Sequence, residues 1–399
     1  MHSPLTFGDL DPRASDYAAR VVDRILQAAV THGVSDIHLD AQGKVGGVSI
    51  KWRIDGNLLA AGSLPDGEST SIVARVKALA RLITYRYDIP QEGRMIFGEQ
   101  ALEARVGTLP TLHGERVVIR LIAKQTCEWL PEQLGLPNDI LTAMRGQLRS
   151  DSGVVLIAGT AGSGKTTTAY ACLRAVLQDA APQRSVVTLE DPIEAELAGA
   201  CQSQINQAVG YDWSDGLKAL LRQDPEVTLV GEIRDAQTAA MVFQAAMTGQ
   251  LVISTMHARG ATDALRRLLD MQVPPHHLLS GLNLLLCQRL LRGACAQCRD
   301  EQRPSSSQGD SQHELREASE PAVSCATCGG SGYAGRVLLA EQLPPLEGEL
   351  ARTLWQSADA RSLAGIAQSL GMRTLDTLTQ EAARAGRVHA NESIRYGLG

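Results

Sequence analysis

The chain has 399 residues, a hydrophobic fraction of 44% and a charged fraction of 21%, values typical of a globular protein with two or three domains. Its net charge of −6 argues against a protein whose whole surface is built for nucleic acid and leaves a local basic channel open. No apolar run reaches the length of a membrane span. Because the N-terminus lacks a charged and apolar signal region, the composition predicts a cytoplasmic protein.

The first 125 residues predict an α+β domain without catalytic machinery of its own. Helical spacing of apolar residues and strand-like alternation predict helices over 17–31 and 71–84, strands at 36–40, 48–54, 103–106 and 116–122, and a loop at 90–94. Arg75, Arg94 and Arg105 fall in these segments, and their spacing alone favours surface or ion-pairing roles.

A phosphate-binding loop follows an apolar strand, Val154 to Ile157. Its residues match the pattern G-x-x-x-x-G-K-[ST] and lead into a helix: Gly159, Thr160, Ala161, Gly162, Ser163, Gly164, Lys165 and Thr166. Glycines let successive N–H groups point at a phosphate chain, Lys165 would neutralise the β and γ oxygens, and the Thr166 hydroxyl would ligate Mg²⁺. The sequence therefore predicts ATP and Mg²⁺ binding by these residues together with Thr167.

Three later apolar strands each end in polar residues. Strands at 186–189, 227–230 and 251–254 alternate with helices at 168–178, 215–221 and 238–246, a pattern that predicts a parallel sheet. Ligands of such sheets bind beyond the carboxyl ends of the strands. We therefore expect Glu232 to orient the attacking water, Asp191 and Glu194 to support Mg²⁺ and water, and His257 to sense the γ-phosphate.

Two C-x-x-C pairs, Cys295 with Cys298 and Cys325 with Cys328, are separated by a polar loop. Two such pairs suit tetrahedral coordination of Zn²⁺ by four thiolates, and free thiols are the alternative. Cys127, Cys172, Cys201 and Cys287 have no pairing pattern and are predicted to be buried thiols. The pattern of residues 360–370 and 373–385 predicts two helices, in which we identify no catalytic or binding residues.

Several motifs resemble those of the secretion ATPases, the hexameric motors of type II secretion, type IV pilus and competence systems. They are SDIHLD (35–40), RIDG (53–56), PQEGR (90–94), RVGTLPTLHGERVVIRL (105–121), LEDPIE (189–194), LRQDPEVTLVGEIRDAQTA (221–239) and GQLVISTMHARGATDALRRLLDM (249–271). Gln250 and the run Ala258-Arg259-Gly260 depart from the family pattern, and neither change removes a catalytic group.

The resemblance implies a RecA-like P-loop ATPase core with an N-terminal α+β, PAS-like domain, a zinc-binding insertion and C-terminal helices. The expected boundaries are 1–125, 130–292, 293–345 and 346–399. By the same resemblance Arg75, Arg94 and Arg105 match positions that reach the nucleotide within a subunit or across a subunit boundary. The tetracysteine element, followed by Gly332-Tyr333-Ala334-Gly335-Arg336, is typical of assembly motors. The family's extra N-terminal docking domain is expected to be missing.

The expected function is Mg-dependent ATP hydrolysis by a homohexamer that powers pilin or pseudopilin assembly. Its expected partner is an inner-membrane platform protein, with peripheral membrane association only through partners and no direct nucleic-acid binding. Two alternatives remain at this point, a RecA-like nucleic-acid translocase and a non-motor nucleotide-binding scaffold.

Overall fold

The computed structural model describes residues 5–42, 47–54, 56–64, 69–98, 102–122, 129–179, 184–301, 325, 327–328, 332–356 and 360–396. The chain divides into two compact units. The first holds residues 1–125 and the described part of the segment from Cys295 to Gly335, and the second holds residues 126–294 and 336–399.

The N-terminal part of the first unit is a six-stranded antiparallel sheet, in the order β3-β2-β1-β6-β5-β4, with helices α1 and α2. In chain order its elements are α1 (Tyr17–Thr31), β1 (Asp36–Ala41), β2 (Val48–Ile54), β3 (Asn57–Leu64), α2 (Ser69–Leu79), β4 (Gln91–Phe97), β5 (Leu102–Thr111) and β6 (Gly114–Ile122). The apolar stripe of α1, including Val21 and Ile25, joins alternate strand residues such as Ile37 and Ile50 in one core. The predicted α+β domain is confirmed.

The predicted loop at 90–94 is wrong, because residues from Gln91 onward form β4, which pairs with β5. A glycine there favoured a loop interpretation. In the fold Gly93 instead allows a close backbone approach, since a Cβ at this position would lie 2.5 Å from the carbonyl oxygen of Ala80. The sequence of β4 shows little of the apolar alternation typical of a strand, because only Met95 of this strand is fully buried.

The second unit is built on a seven-stranded sheet in the order β13-β12-β7-β11-β10-β8-β9, in which β13 comprises Tyr333–Gln342. Its elements up to residue 294 are α3 (Asn138–Leu148), β7 (Gly153–Gly159), α4 (Lys165–Gln178), β8 (Val186–Glu190), β9 (Cys201–Gln204), α5 (Trp213–Leu220), β10 (Val227–Val230), α6 (Ala236–Met247), β11 (Leu251–Met256), α7 (Ala261–Asp270), α8 (Pro275–Gly281) and β12 (Leu282–Ala294). The strands from β12 to β9 pair in parallel, which confirms the predicted parallel sheet.

Both faces of this sheet are covered. Along β7, Val154 and Leu156 pack in one core with α6 and α7, whereas Val155 and Ile157 pack in a second core with α3 and α4. Because alternate residues of a strand point to opposite faces, the continuous apolar run of β7 is what a central strand between two helical layers requires.

The remaining elements follow residue 294. They are α9 (Ala296–Glu301), β13 (Tyr333–Gln342), α10 (Gly348–Trp355), α11 (Ala360–Ser369), α12 (Leu375–Arg384) and α13 (Ala390–Arg395). The two predicted C-terminal helices correspond to α11 and α12. Strand β13 belongs to the core sheet, although it lies within the range 293–345 that the sequence assigns to the tetracysteine element. Among the described residues, no helix is both long and apolar enough to cross a bilayer.

The unpaired cysteines divide into two groups. Cys172 and Cys287 are buried, as predicted, and burial raises the pKa of each thiol to about 12. The prediction for Cys201 is wrong, because this residue opens the edge strand β9 and is exposed. Cys127 lies outside the described residues, as does most of the polar loop between the C-x-x-C pairs.

Candidate active site

The phosphate-binding loop connects β7 to α4 at the carboxyl edge of the parallel sheet. Gly159, Gly162 and Gly164 have φ angles of 150°, 75° and 88°, which residues with side chains rarely adopt. At Gly159 a Cβ would lie 2.3 Å from Oγ of Ser163 and 2.6 Å from the carbonyl oxygen of Gln288. The loop therefore requires glycine both for its turns and for its contact with β12.

Lys165, the first residue of α4, points back into this loop. Its Nζ atom donates to the carbonyl oxygens of Gly159 at 3.0 Å and Thr160 at 3.1 Å. Burial lowers the pKa of the Lys165 ammonium, and the nearby Glu232 carboxylate opposes that shift. A phosphate chain in the loop would replace these two neutral carbonyls as the partner of the Lys165 ammonium. The charged hydrogen bonds that form would favour phosphate binding.

A buried polar pair joins α4 to β12 behind the loop. Nε2 of Gln288 donates to Oγ1 of Thr168 at 2.9 Å, and the two residues are 1% and 0% exposed. Gln288 also lies opposite Gly159 in the pairing of β12 with β7. These contacts fix the start of α4 relative to the sheet, since a buried hydrogen bond is costly to break.

The segment after β8 is held by a network around Glu190, which is 3% exposed. One carboxylate oxygen accepts a hydrogen bond from the Tyr170 hydroxyl at 2.5 Å, and the other accepts from Thr188 at 2.6 Å and Gln202 at 3.2 Å. The Tyr170 hydroxyl in turn accepts from the backbone N–H of Glu194 at 3.2 Å. Glu190 is thus saturated by protein donors, whereas the predicted acids Asp191 and Glu194 are exposed, as is Glu196.

Glu232 follows β10 and is held from two sides. Its Oε1 atom lies 3.1 Å from Nε2 of His257, and its Oε2 atom accepts from Nε of Arg234 at 2.6 Å. Nη1 of Arg267, on α7, donates to the carbonyl oxygen of His257. These side chains line an open cleft of about 420 Å³ together with Ile233, Asp270 and Met271. The structure therefore brings the predicted acid and the predicted histidine into direct contact.

The sheet order explains how these groups meet. Strand β11, which leads to His257, lies between β7 and β10, and β8 lies beyond β10. Because all four strands run in parallel, their carboxyl ends share one edge. The phosphate-binding loop, His257, Glu232 and the Asp191 segment therefore succeed one another along that edge.

Two of the three predicted arginines share a row of the N-terminal sheet. Arg94 lies opposite Arg105, Arg105 opposite Arg120, and Arg120 opposite Asp36, so the four side chains project from one face. Arg94 is 55% exposed and forms an ion pair with Glu103 at 3.4 Å. Among the described residues, Arg94 is therefore an exposed side chain that pairs with a neighbouring strand.

Arg75 lies apart from this row, on α2. Its Nε atom is buried and has no hydrogen-bond partner among the residues that the structure describes. Arg120 was not predicted, and the signal that could have found it is register, because it stands opposite Arg105 only once β5 and β6 are paired.

The four cysteines of the two C-x-x-C pairs converge. Their sulfur atoms all lie within 4.8 Å of one another, with Sγ of Cys295 3.8 Å from Sγ of Cys325 and Sγ of Cys298 3.4 Å from Sγ of Cys328. Such spacing fits four thiolates around one tetrahedral ion at Zn–S distances of about 2.3 Å. The backbone N–H of Gly332 donates to Sγ of Cys328 at 3.2 Å, an outer contact typical of thiolate sites.

A parallel sheet whose central strand enters a glycine-rich loop and helix, with an acid at the end of another strand of the same sheet, defines the P-loop NTPase class. Within that class the chain belongs to the type II/IV secretion system protein family, because the model of that family matches residues 13–395. The predicted family and fold class are confirmed.

Curated relatives from several bacteria resemble the chain. Type II secretion system protein E of Klebsiella pneumoniae is 39% identical over 330 residues, which cover 81% of this chain. The type IV pilus assembly ATPase PilB of Thermus thermophilus is 34% identical over 380 residues, which cover 94% of this chain. The chain spans 65% of the length of the first of these relatives and 41% of the second.

Solved structures share the fold. The Legionella pneumophila ATPase DotB superposes with a TM-score of 0.68 at 20% sequence identity, covering 99% of both chains. The pilus retraction motor PilT, solved with ADP, gives a TM-score of 0.59 at 21% identity and covers 94% of this chain and 96% of its own.

Besides Arg267, which contacts the His257 carbonyl, four residues of the site were not predicted as functional. Three of them hold the elements that carry the predicted side chains in place through buried hydrogen bonds: Tyr170, Glu190 and Gln288. The fourth, Arg234, contacts Glu232 directly. Arg234 could have been found from its position two residues after Glu232. The other three are polar residues within apolar elements, and the sequence does not show which of them meet across the fold.

Proposed function

We propose that this protein is a Mg-dependent ATPase that works as a cytoplasmic homohexameric motor for pilin or pseudopilin assembly. The observation that carries the proposal is the Glu232 carboxylate held by His257 and Arg234 at the same sheet edge as the phosphate-binding loop. An acid in this place can align the attacking water while the loop holds the phosphates.

In this proposal the loop residues 159–167 bind the phosphate chain through backbone N–H groups and the dipole of α4. The Lys165 ammonium leaves the carbonyls of Gly159 and Thr160 and neutralises the β and γ oxygens. Thr166, supported by Asp191 and Glu194, would hold Mg²⁺, which when bound screens the negative charge that develops on the phosphates.

Hydrolysis then depends on placement and charge. Glu232 orients the water, and His257 keeps the carboxylate aimed and reports the presence of a γ-phosphate. Arg75, Arg94 and Arg105 are proposed to supply positive charge to the nucleotide, within a subunit or across a subunit boundary. The support for that role is the motif resemblance together with the shared row of Arg94 and Arg105.

The proposed partner is an inner-membrane platform protein of a type II secretion or type IV pilus machine, with membrane association only through partners. Support comes from the family match and from relatives named for type II secretion and for type IV pilus assembly. The tetracysteine element, proposed to hold Zn²⁺ through Cys295, Cys298, Cys325 and Cys328, favours an assembly motor over a retraction motor.

The direct test compares Glu232→Gln with Glu226→Gln, a change at the opposite end of β10, where Glu226 accepts from the backbone N–H of Ser185. We expect Glu232→Gln to lower kcat by roughly 100-fold or more, a loss typical of removing a key polar group from an active site. Binding of a fluorescent ADP analogue should change by less than about threefold, because the loop is intact. Full hydrolysis by Glu232→Gln would contradict the proposal.

A further inference from the structure

Glu341, near the end of β13, contacts the N-termini of two helices that are distant in sequence. Its side chain is 4% exposed. Oε1 accepts a hydrogen bond from the backbone N–H of Ala261, the first residue of α7. Oε2 accepts from the backbone N–H of Leu375, the first residue of α12, at 2.6 Å. One buried carboxylate therefore satisfies donors of both helices and interacts favourably with both helix dipoles.

The α7 side of this contact leads to the active site. Only three residues separate His257 from Ala261, and Arg267 of α7 donates to the carbonyl oxygen of His257. A Cβ at Gly260 would lie 3.0 Å from Oε1 of Glu341, so the chain passes close to the carboxylate. The start of α7 is thus fixed by Glu341, and the His257 segment is fixed by α7.

The α12 side leads to the C-terminal helices, for which the sequence predicted no chemistry. Nη1 of Arg289 donates to Oδ1 of Asp376 and to Oγ1 of Thr379, both at 3.0 Å, and its guanidinium lies 4.2 Å from the centre of the Tyr396 ring. These contacts give α12 a defined position against β12. A shift of α12 would remove the Leu375 N–H from a carboxylate that water does not reach.

We propose that Glu341 is a positioning residue that couples the location of α12 to the His257 segment, so that displacement of α12 alters the rate of hydrolysis. This inference rests on the proposed function, since it concerns the histidine that contacts Glu232. The geometry allows the carboxylate to hold both helices only while they keep their present separation. A buried carboxylate that loses one of its two donors has a strong tendency to move or take up a proton.

The test removes one donor without removing the carboxylate. Leu375→Pro lacks the N–H, and proline suits the first position of a helix. The preceding Thr374, with φ of −70° and ψ of 155°, already has the backbone that a following proline requires. Leu375→Ala is the matched control, because it loses the buried side chain and keeps the donor. Hydrogen exchange of the peptide spanning 257–264 is measured with kcat and KM for ATP in the full-length protein.

We expect Leu375→Pro to speed exchange at the start of α7 by about tenfold relative to Leu375→Ala. We also expect kcat about fivefold lower with KM for ATP within about twofold. Exchange in residues 257–264 that is the same in both variants would overturn the coupling. Absence of ATP hydrolysis in the wild-type protein would refute the proposed function instead, and the exchange comparison would still decide the coupling.

A second pair of variants covers the case in which Leu375→Pro does not fold. Glu341→Gln has a single acceptor oxygen for two donors, whereas Glu392→Gln makes the same change in a carboxylate that is 1% exposed and binds Arg292 of β12. We expect Glu341→Gln to speed exchange at the starts of both α7 and α12 and to lower kcat, and Glu392→Gln to leave α7 unchanged. Faster exchange confined to α12 in Glu341→Gln would overturn the coupling.

Discussion

The Nε2 atom of His257 lies 3.1 Å from Oε1 of Glu232. This contact joins the segments that follow two neighbouring strands of the sheet, β11 and β10. The histidine alone is a weak signal, since most single histidines are structural. Its contact with the acid that follows β10 gives it a defined task, which is to hold one oxygen of that acid while Arg234 holds the other.

The first prediction concerns this contact. His257→Ala leaves one oxygen of Glu232 without its partner, so the carboxylate samples orientations that do not align water. We expect kcat to fall by about 10- to 100-fold with KM for ATP within about threefold. His276→Ala, in an exposed residue that stacks on Trp355, is the matched control. Equal loss of kcat in both variants would argue against a specific role for His257.

The second prediction concerns Tyr170, which is 1% exposed. Tyr170→Phe removes the donor to Glu190 and the acceptor of the Glu194 N–H. We expect a loss of about 1–3 kcal/mol in the free energy of unfolding, because a buried carboxylate loses a partner. We also expect a clear fall in kcat, because the Asp191 segment is released.

Denaturant unfolding and steady-state kinetics measure both effects. Tyr211→Phe is the control, since its hydroxyl pairs with Ser203 at 2.8 Å at a half-buried position and not with Glu190 or the Glu194 N–H. A Tyr170→Phe protein with wild-type kcat would show that the Glu190 network contributes only to folding.

The third prediction concerns pH and His38 of β1. Burial and the charges of Arg116 and Arg53 lower the pKa of His38, against the opposing effect of Asp36 and Asp40. The unfolded chain therefore takes up a proton near pH 6.5 that the folded chain does not bind. Stability is fully present above that pH and is lost as pH falls toward the lower folded pKa.

We expect the unfolding free energy to fall as the pH drops below about 6.5 and the fall to be smaller in His38→Gln. Gln can still accept from Nη2 of Arg116, which lies 3.0 Å from Nδ1 of His38. The exposed His113 provides the control His113→Gln. A pH dependence unchanged by His38→Gln would contradict this assignment.

The fourth prediction concerns the tetracysteine element. We expect about one zinc ion per chain in protein purified without a chelator, because four converging thiolates suit this metal. Cys298→Ser should lower the zinc content and the thermal stability together, whereas Cys201→Ser, on the exposed strand β9, should change neither. A metal content far below one per chain in the wild type would contradict the assignment.

Much of the fold could be predicted because the local apolar patterns agree with the burial of each element in the tertiary structure. The run from Val154 to Ile157 is apolar at every position, as a central parallel strand must be, and the stripe that includes Val21 and Ile25 is apolar on one side only. Strand β4 could not be predicted, because its exposed positions mix the charged Glu92 and Arg94 with the apolar Ile96, and its glycine is used for packing against Ala80. Its strand conformation comes from pairing with β5, which no local pattern encodes.

The same division applies to the candidate site. Gly159 to Thr166 could be identified because the loop is contiguous and each residue type has a stated chemical reason. Glu341, Gln288 and Tyr170 could not, because each acts on residues 20 or more positions away in the chain. Glu190 was passed over for the adjacent Asp191, since only the fold shows that Glu190 is enclosed by its three donors.

The central claim, a cooperative ring motor that hydrolyses ATP, is tested most directly by steady-state ATPase activity across a protein concentration series, with molecular mass determined at each point. Lys165→Ala and Glu232→Gln are measured alongside, and Lys218→Ala, in an exposed residue paired with Asp215, is the control. The account predicts specific activity that rises as hexamers form and is lost in the first two variants only. A monomer that hydrolyses ATP as fast as the assembled protein would contradict it.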